Sequence, residues 1–434
     1  MTIRSSTSGL AKFSDRGREK GLRGAVAAVT VALALLFSSS VLPALGSEIK
    51  VSGAPLWISA AAERAVDAVW SELSRSGLSR SRAVDTLGLV SGRLFNGYDV
   101  EVVKNGRSNP SIILSAKKVL SWQVEFLSPE LKEPFSLWMA DDLQSVKLEM
   151  LGKLSGVPYQ ALTWGDDAFR AELRSVMEDR MPGWRGGAVV RLKDGGVLLE
   201  LTVTPEPPYV LATDPAIYSG TLPNILMDRL KESLLKDLSP VMGLPVSWIE
   251  SHGEALDLWA KAMIEKRNTV SNSRSDVSLS VVPSQITKVD ALVESRRYVL
   301  RAWLAAQAGA NGRSPELGLH LGRFVKLVPR WESELYGEFL VDLENWSLES
   351  RMGLRWGLVD PVWIGVEYVD PDDELWYRLW VRGNRKGPYF WCRYSENDES
   401  QLALGYRINQ VVSVEINYDD SYDDRWSLRA VGDL

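Results

Sequence analysis

The chain is short of the residues that most site chemistry needs. It has one cysteine, Cys392, and two histidines, His252 and His320, in 434 residues. A single thiol excludes an intrachain disulfide framework and a thiolate metal cluster. Cys392 lies between Phe390 and Tyr394, so it reads as a small apolar packing residue. The histidines belong to different parts of the chain, and neither stands in a cluster at metal-ligand spacing or as half of a Ser-His pair. His320 is expected to point into the lumen of a C-terminal barrel, beside Glu316. A Walker loop and a dinucleotide glycine motif are both missing. No enzyme activity and no cofactor is expected. Positive charge is not in excess either: 50 Lys and Arg face 56 Asp and Glu, a formal net charge of −6. That balance argues against nucleic acid as the main partner. Beyond the N-terminus no apolar run is long enough to cross a bilayer as a helix, so any membrane span has to be a barrel.

What is present starts with the N-terminus. Arg4, Lys12, Arg16, Arg18, Lys20 and Arg23 precede an apolar run from Ala25 to Phe37, and Ala44-Leu45-Gly46 closes the segment. A basic start, a short apolar core and small exit residues predict a secretory signal peptide over 1–46, cleaved after Gly46. Export without cysteine pairs suits a bacterial envelope protein.

From about Arg297 onward the chain alternates. Trp346, Leu348, Met352, Leu354, Trp356 and Leu358 fall on one face of a strand, and Ser347, Glu349, Arg351, Gly353, Arg355 and Gly357 on the other. Side chains of a strand alternate at period two, so one face is apolar and the other charged. Leu402, Leu404, Tyr406 and Ile408 repeat the pattern against Gln401, Gly405 and Arg407, as do Val412, Val414, Ile416 and Tyr418 against Ser413 and Glu415. Strands without intervening helices predict an antiparallel up-and-down barrel of about ten strands over 296–434. The connections alternate too. Asp370 to Glu374, Ser395 to Ser400 and Asp419 to Asp424 are acidic, while Val328-Pro329-Arg330, Gly383 to Gly387 and Asn409-Gln410 are short or basic. Alternate loops share one end of a barrel, so one rim should be acidic, facing outside.

The middle of the chain repeats. Helical apolar spacing at Val66, Val69, Trp70 and Leu73, then at Val84, Leu87 and Leu94, is followed by strands at Tyr98–Lys104 and Ser111–Phe126, with Asn105-Gly106 as the hairpin turn. The same order returns with Leu143, Val146, Met150 and Leu154, then Phe169, Leu173 and Val176, then a hairpin turning at Asp194-Gly195. A third copy carries Met227, Leu230, Leu234 and Leu238, then Leu256, Trp259 and Met263, with its hairpin expected through Asn272-Ser273-Arg274-Ser275. Each helix corner has a glycine: Gly77-Leu78-Ser79, Gly156-Val157-Pro158 and Gly243-Leu244-Pro245. These define tandem α+β modules of β-α-α-β-β order at 47–128, 129–208 and 209–295.

Such modules behind a signal peptide and ahead of a barrel resemble the polypeptide-transport-associated (POTRA) domains of outer-membrane barrel proteins, a family that includes barrel-assembly and two-partner-secretion transporters. Val381-Arg382-Gly383 looks like the start of that family's lumen-loop tetrapeptide, with Asn384 where an aromatic is expected. The resemblance implies a barrel in the outer membrane, modules in the periplasm, and outer-membrane lipid and periplasmic or membrane proteins as partners. It implies a role in outer-membrane biogenesis or protein transport.

In that reading Glu338, Glu349, Arg351, Arg355, Glu367, Arg378, Arg382 and Arg407 line the lumen, with Arg301, Arg393 and Glu415, and their pairing should plug the bore. Gly318, Gly322, Gly353, Gly365 and Gly405 leave them room. Tryptophans at Trp331, Trp346, Trp356, Trp363, Trp376, Trp380, Trp391 and Trp426 would form interfacial girdles. Arg323 falls on the lipid face, which places it near an interface. The exposed edges for partner strands would be Val100 and Val102 in the first module and Val190 and Leu192 in the second. Trp426, Leu428 and Leu434 alternate to the last residue, resembling a C-terminal recognition strand. Two alternatives stay open: a structural anchor that only tethers the arm, and a soluble ligand-binding barrel with its faces inverted, Leu354, Trp356 and Leu404 inside.

Overall fold

A computed structural model describes residues 49–104, 109–193, 195–309, 314–328, 331–383 and 386–434. The expected signal peptide, the Asn105-Gly106 turn, Asp194 and Asn384 lie outside the described residues. The chain divides into two compact units, 49–123 with 152–172 and 192–197, and 124–151 with 173–191 and 198–434.

Three small modules precede the barrel. The first is β1 (Val51–Ser52), α1 (Leu56–Arg75), α2 (Arg80–Leu94), β2 (Tyr98–Val103) and β3 (Ser111–Ala116). β1 pairs parallel with β3 and β2 antiparallel with it, giving the order β1-β3-β2. Ser111–Phe126 is not one strand: it breaks after Ala116, and β4 (Trp122–Leu127) belongs to the next sheet. The first module therefore ends before Trp122 and not at 128. An alternating run cannot reveal such a break when the strands on either side serve different sheets.

The second module is β4, α3 (Phe135–Leu154), α4 (Ala161–Trp164), α5 (Asp166–Arg180), β5 (Trp184–Lys193) and β6 (Gly196–Pro205), in the order β4-β6-β5. The third is β7 (Ala212–Tyr218), α6 (Asn224–Asp237), α7 (Val246–Ser251), α8 (Gly253–Glu265), α9 (Asn268–Ser273), β8 (Ser275–Val282) and β9 (Ile286–Ser295), in the order β7-β9-β8. Its hairpin turns at 283–285. The stretch expected to turn, Asn272 to Ser275, is instead the end of α9 and the entry to β8.

Each module buries an apolar seam between helices and sheet: Ile58, Leu87 and Ile112 in the first, Val146, Met150 and Leu199 in the second, Leu230, Trp248 and Val289 in the third. The corner glycines Gly77, Gly156 and Gly243 all have left-handed φ, +72°, +75° and +86°. A second periodic position precedes the edge strand. Gly97 and Gly183 sit there with φ of +97° and +82°, and Arg274, at +51°, takes the place in the third module.

These turns also carry the joints between modules. A Cβ at Gly97 would come within 3.0 Å of Pro158, and one at Gly183 within 2.6 Å of Pro245. Both prolines belong to the following module's corner, so the two joints are built alike. At the second joint His252 stacks on Trp138, with ring centroids 5.2 Å apart. Its Nε2 lies 3.5 Å from Asp142 Oδ2, and Trp248 Nε1 donates to the same oxygen at 2.7 Å. Hydrogen bonding to Asp142 holds the imidazolium's pKa above the ordinary histidine value, although burial opposes it.

The barrel comprises β10 (Tyr298–Ala308), β11 (Glu316–Val328), β12 (Trp331–Asp342), β13 (Leu348–Val359), β14 (Val362–Asp370), β15 (Glu374–Val381), β16 (Gly387–Ser395), β17 (Ser400–Arg407), β18 (Val412–Asp419) and β19 (Trp426–Asp433). Every neighbour is antiparallel, and β10 pairs with β19 (Ala305 opposite Val431), so the sheet closes without an edge. The third module is fixed to this closure. Asn224 N donates to Leu434 O at 2.9 Å, Asn224 Nδ2 to Asp433 O at 3.2 Å, and Leu300 N to Thr221 O at 2.7 Å. Leu434 itself lies just past β19.

Candidate functional site

The barrel turns the usual distribution of residues inside out. Leu317, Leu319, Leu321, Leu335, Met352, Leu404, Ile416 and Leu428 are exposed on the outer wall, Met352 at 62% and Leu404 at 55%. Glu334, Glu338, Arg355, Glu367 and Arg393 are buried inside, Glu367 at 1% exposure. In water this would leave a continuous apolar band exposed and charges shielded, against both hydrophobic burial and ion solvation. Only a hydrocarbon solvent outside makes the arrangement favourable. The chain is a transmembrane β-barrel protein. The soluble alternative, which needs Leu354, Trp356 and Leu404 inside, fails on the same observation. Three small α/β modules precede this closed ten-stranded antiparallel barrel.

Inside, ion pairs form a girdle. His320 sits between Glu334 (Nε2 to Oε1, 2.7 Å) and Glu338 (Nδ1 to Oε1, 3.0 Å). Its partners are on the neighbouring strand β12, and Glu316, expected beside it, pairs with Arg429 instead. Arg355 meets Glu334 at 2.6 Å, and Arg378 bridges Glu338 at 2.8 Å and Glu367 at 3.1 Å. Arg393 reaches Glu367 at 3.3 Å, and Arg351 pairs with Glu349 and, at 3.6 Å, with Glu338. On the far wall Arg429 holds Glu415 at 2.8 Å. Buried charges persist only when paired, and each arginine of this network faces a carboxylate, although Arg378 Nε and Arg429 Nε are buried without a hydrogen-bond partner. Tyr336 adds a hydroxyl to Glu367 at 2.7 Å. The lumenal glycines give these groups their space: a Cβ at Gly322 would fall 1.9 Å from Glu334 Oε1, and one at Gly353 2.5 Å from the Tyr336 ring.

The girdle is closely packed, with Glu334, Glu338, Arg355, Glu367 and Arg393 all buried. A cavity of about 2540 Å³ runs from Thr221 and Arg297 at the module end to Glu399 and Tyr422 at the other. The guanidiniums of the girdle lie over aromatic rings of the wall. Arg378 stands 4.2 Å from the Trp380 centroid, Arg393 4.3 Å from Trp376 and Arg382 4.3 Å from Trp363. Cation–π contact of this kind holds a cation to a wall.

That observation corrects the aromatic girdle. Trp363, Trp380 and Trp391 are cross-strand neighbours on β14, β15 and β16; Trp376, Trp380 and Trp391 line the lumen, and Trp363 is buried beneath Arg355 and Arg382. Their parity with Glu367, Arg378 and Arg393 is the sequence signal that places them inside. Trp346 is in a turn with φ of +53°, outside β13. Exposed outer aromatics among the described residues include Trp331, Tyr298 and Tyr406 towards the module end, and Trp346, Tyr368, Tyr377, Tyr394 and Trp426 towards the other. Arg323, on the outer wall, pairs in register with Tyr298 near the module end. Cys392 faces outward between Leu379 and Leu402.

The remaining lumenal candidates, Arg382 and Arg407, line the cavity at the module-side ends of β15 and β17. Among the described residues the far rim is acidic, with Asp342, Glu344, Asp370, Asp372, Asp373, Glu374, Glu396, Asp398, Glu399, Asp419, Asp420, Asp423 and Asp424 on four loops and strand ends against Arg425. Glu399 shows the crowding: burial and the neighbouring Glu374, Asp420 and Asp419 push its carboxyl above the usual range.

Val100 and Val102 lie on β2, and Val190 and Leu192 on β5, the edge strands of their sheets. β5 is the more open: from Ala188 to Lys193 it is exposed on both faces, with Leu192 at 59%. Trp426 and Leu428 are outward-facing on β19.

No family model and no curated protein matches the sequence. Among solved structures, BamA from Haemophilus ducreyi lacking POTRA domains 1–3 is similar at 9% identity, over 70% of this chain and 71% of that one, with a TM-score of 0.17. The N-terminal domain of Omp85 from the thermophilic cyanobacterium Thermosynechococcus elongatus is similar at 13%, over 58% of this chain and 96% of that one, with a TM-score of 0.18. CdiB from Acinetobacter baumannii is similar at 10%, over 81% of this chain and 61% of that one, with a TM-score of 0.16.

Proposed function

We propose that the barrel sits in the outer membrane with its modules in the periplasm, and that the modules take up extended protein segments by strand addition in outer-membrane biogenesis or protein transport. One observation carries this reading: β5 is an unpaired sheet edge, ten residues long, whose outer half offers Val189, Val190 and Leu192 to solvent. A natural protein ordinarily blunts such an edge, because unpaired N–H and C=O groups recruit other chains. Left open, with Val189, Val190 and Leu192 beside Arg191 and Lys193, it is a template for an incoming strand, whose backbone supplies affinity and whose alternate side chains supply selectivity. β2, with Val100 and Val102, offers a second edge of six residues.

The test is a photo-crosslinker at Leu192 in the full-length protein, compared with the same protein carrying Val190→Pro. Proline removes a ladder donor at the edge while leaving the module's core untouched. Cross-links to unfolded barrel precursors should be lost in the proline variant. Unchanged cross-links would remove β5 as the site. A single folded partner bound equally by both proteins would favour a structural anchor.

A further inference from the structure

The outer wall of the barrel is almost free of charge. Among the described residues the outward positions of its ten strands carry two charged side chains, Asp370 at the acidic rim and Arg323 on β11. Exposed apolar residues border Arg323: Leu321 on its own strand, Tyr298 opposite it on β10 and Leu335 opposite it on β12. Arg323 is itself exposed, and it makes no ion pair or hydrogen bond among the described residues. Hydrocarbon offers such a cation no partner, so it is tolerated only near an interface.

A second cation stands at the same place. Phe324 N donates to Arg297 O at 3.0 Å, and the Arg297 guanidinium carbon lies 4.9 Å from the centroid of the Tyr298 ring. Tyr298 and Arg323 are in register and share the outward face. Side chains paired in this way have Cβ atoms about 4.5–5.5 Å apart. Both arginines therefore border one ring. Of the carboxylates at this end, Asp276 pairs with Arg296, and Glu294 accepts from Gly220 N at 2.8 Å. Glu332 has lumenal parity on β12, and Asp360 is in the turn after β13, two strands from Arg323.

We propose that Arg323, with Arg297 across the Tyr298 ring, binds the phosphate of a phospholipid at the module-side edge of the membrane. The wall faces lipid on either side of Arg323, and the anion that a bilayer offers at its interface is the headgroup phosphate. A guanidinium presents a planar fork of N–H donors that matches two phosphate oxygens. Tyrosine belongs at the same level, with its ring in the apolar layer and its hydroxyl among the headgroups. The site rests on the membrane assignment and does not depend on strand addition by the modules.

The experiment titrates the full chain in detergent micelles with phosphatidylglycerol, whose phosphate has no ammonium of its own to answer it, and counts retained lipid by native mass spectrometry. Diacylglycerol with the same chains is the probe without phosphate. The wild type should retain phosphatidylglycerol in preference to diacylglycerol. Arg323→Gln should bind it about tenfold more weakly, since a charge-assisted hydrogen bond contributes on that order. Arg323→Lys, which keeps the charge and loses the fork, should fall between. Arg425→Gln, at the far rim, should bind as the wild type does. Heat-modifiable gel mobility checks that each variant keeps its barrel. Equal retention of the two lipids by the wild type, undiminished binding in Arg323→Gln, or an equal loss in Arg425→Gln would each overturn the proposal.

Discussion

The modules and the barrel are made from the same kinds of residues and bury opposite ones. In the third module Trp248, Ile249 and Val289 are fully enclosed and Leu258 on the outer face of α8 is an isolated apolar residue in water. In the barrel Glu334 and Glu367 are enclosed and a band of leucines is exposed. The difference teaches that burial follows the solvent. Water outside drives apolar atoms in, whereas hydrocarbon outside gives leucine no reason to hide and charge every reason to. A module has one solvent around it. The barrel separates two, so its interior holds arginines and tryptophans together.

Removing one partner of the girdle should show the largest effect. Glu367→Ala leaves Arg378 and Arg393 short of a carboxylate and should destabilise the barrel by about 3–5 kcal/mol, as loss of one member of a buried ion pair does. A clear drop in the temperature of heat-modifiable mobility would register it; no drop would mean that lumenal water already solvates those arginines. The matching change in the arm is Trp248→Ala, which should cost about 3–5 kcal/mol in the module while leaving barrel mobility unchanged.

The sharpest contrast comes from one substitution made twice. Leu404→Arg places a cation on the lipid face and should cost about 2–4 kcal/mol if it reaches mid-bilayer. Leu258→Arg, at a residue still more exposed, should stay within about 0.5 kcal/mol. Equal effects at the two sites would erase the distinction between lipid and water and with it the membrane assignment.

A smaller effect is expected at the joint between the second and third modules. Gly183→Ala strains a left-handed residue by about 1–2 kcal/mol, and its Cβ also meets Pro245, whereas Gly243→Ala adds only the strain, with nothing within 4 Å of its Cβ. Limited proteolysis between the modules should therefore quicken more in the first variant. The smallest effect concerns pH. His252 has a raised pKa because of Asp142, so its contribution is complete below the unfolded value of about 6.5 and is lost as pH rises through the folded value. The isolated transition of the arm should shift to lower temperature between mildly acidic and mildly alkaline pH, and His252→Gln should flatten that dependence.

Much of this was legible in residue order. Period-two alternation marks the ten barrel strands, and the corner glycines mark three modules, because both depend on local backbone geometry. The site was less legible. Glu338, Arg355 and Glu367 read as lumenal from parity alone, but their partners did not: His320 finds Glu334 and Glu338 across a strand register that turn lengths set. The tryptophans of β14 to β16 were misread because an aromatic suits a membrane interface and a cation-lined wall equally well. The third copy's hairpin turns at Pro283-Ser284-Gln285, with no Asn-Gly or Asp-Gly to mark it.

Amphipathic strands, helix periodicity and tandem repetition were settled in the residue string, since each arises between neighbours a few positions apart. Which face meets lipid, which arginine keeps a carboxylate and which is left to stack on a ring were settled by closure of β10 onto β19. Closing the sheet creates an inside, and only then do residues far apart in the chain compete for the same charges.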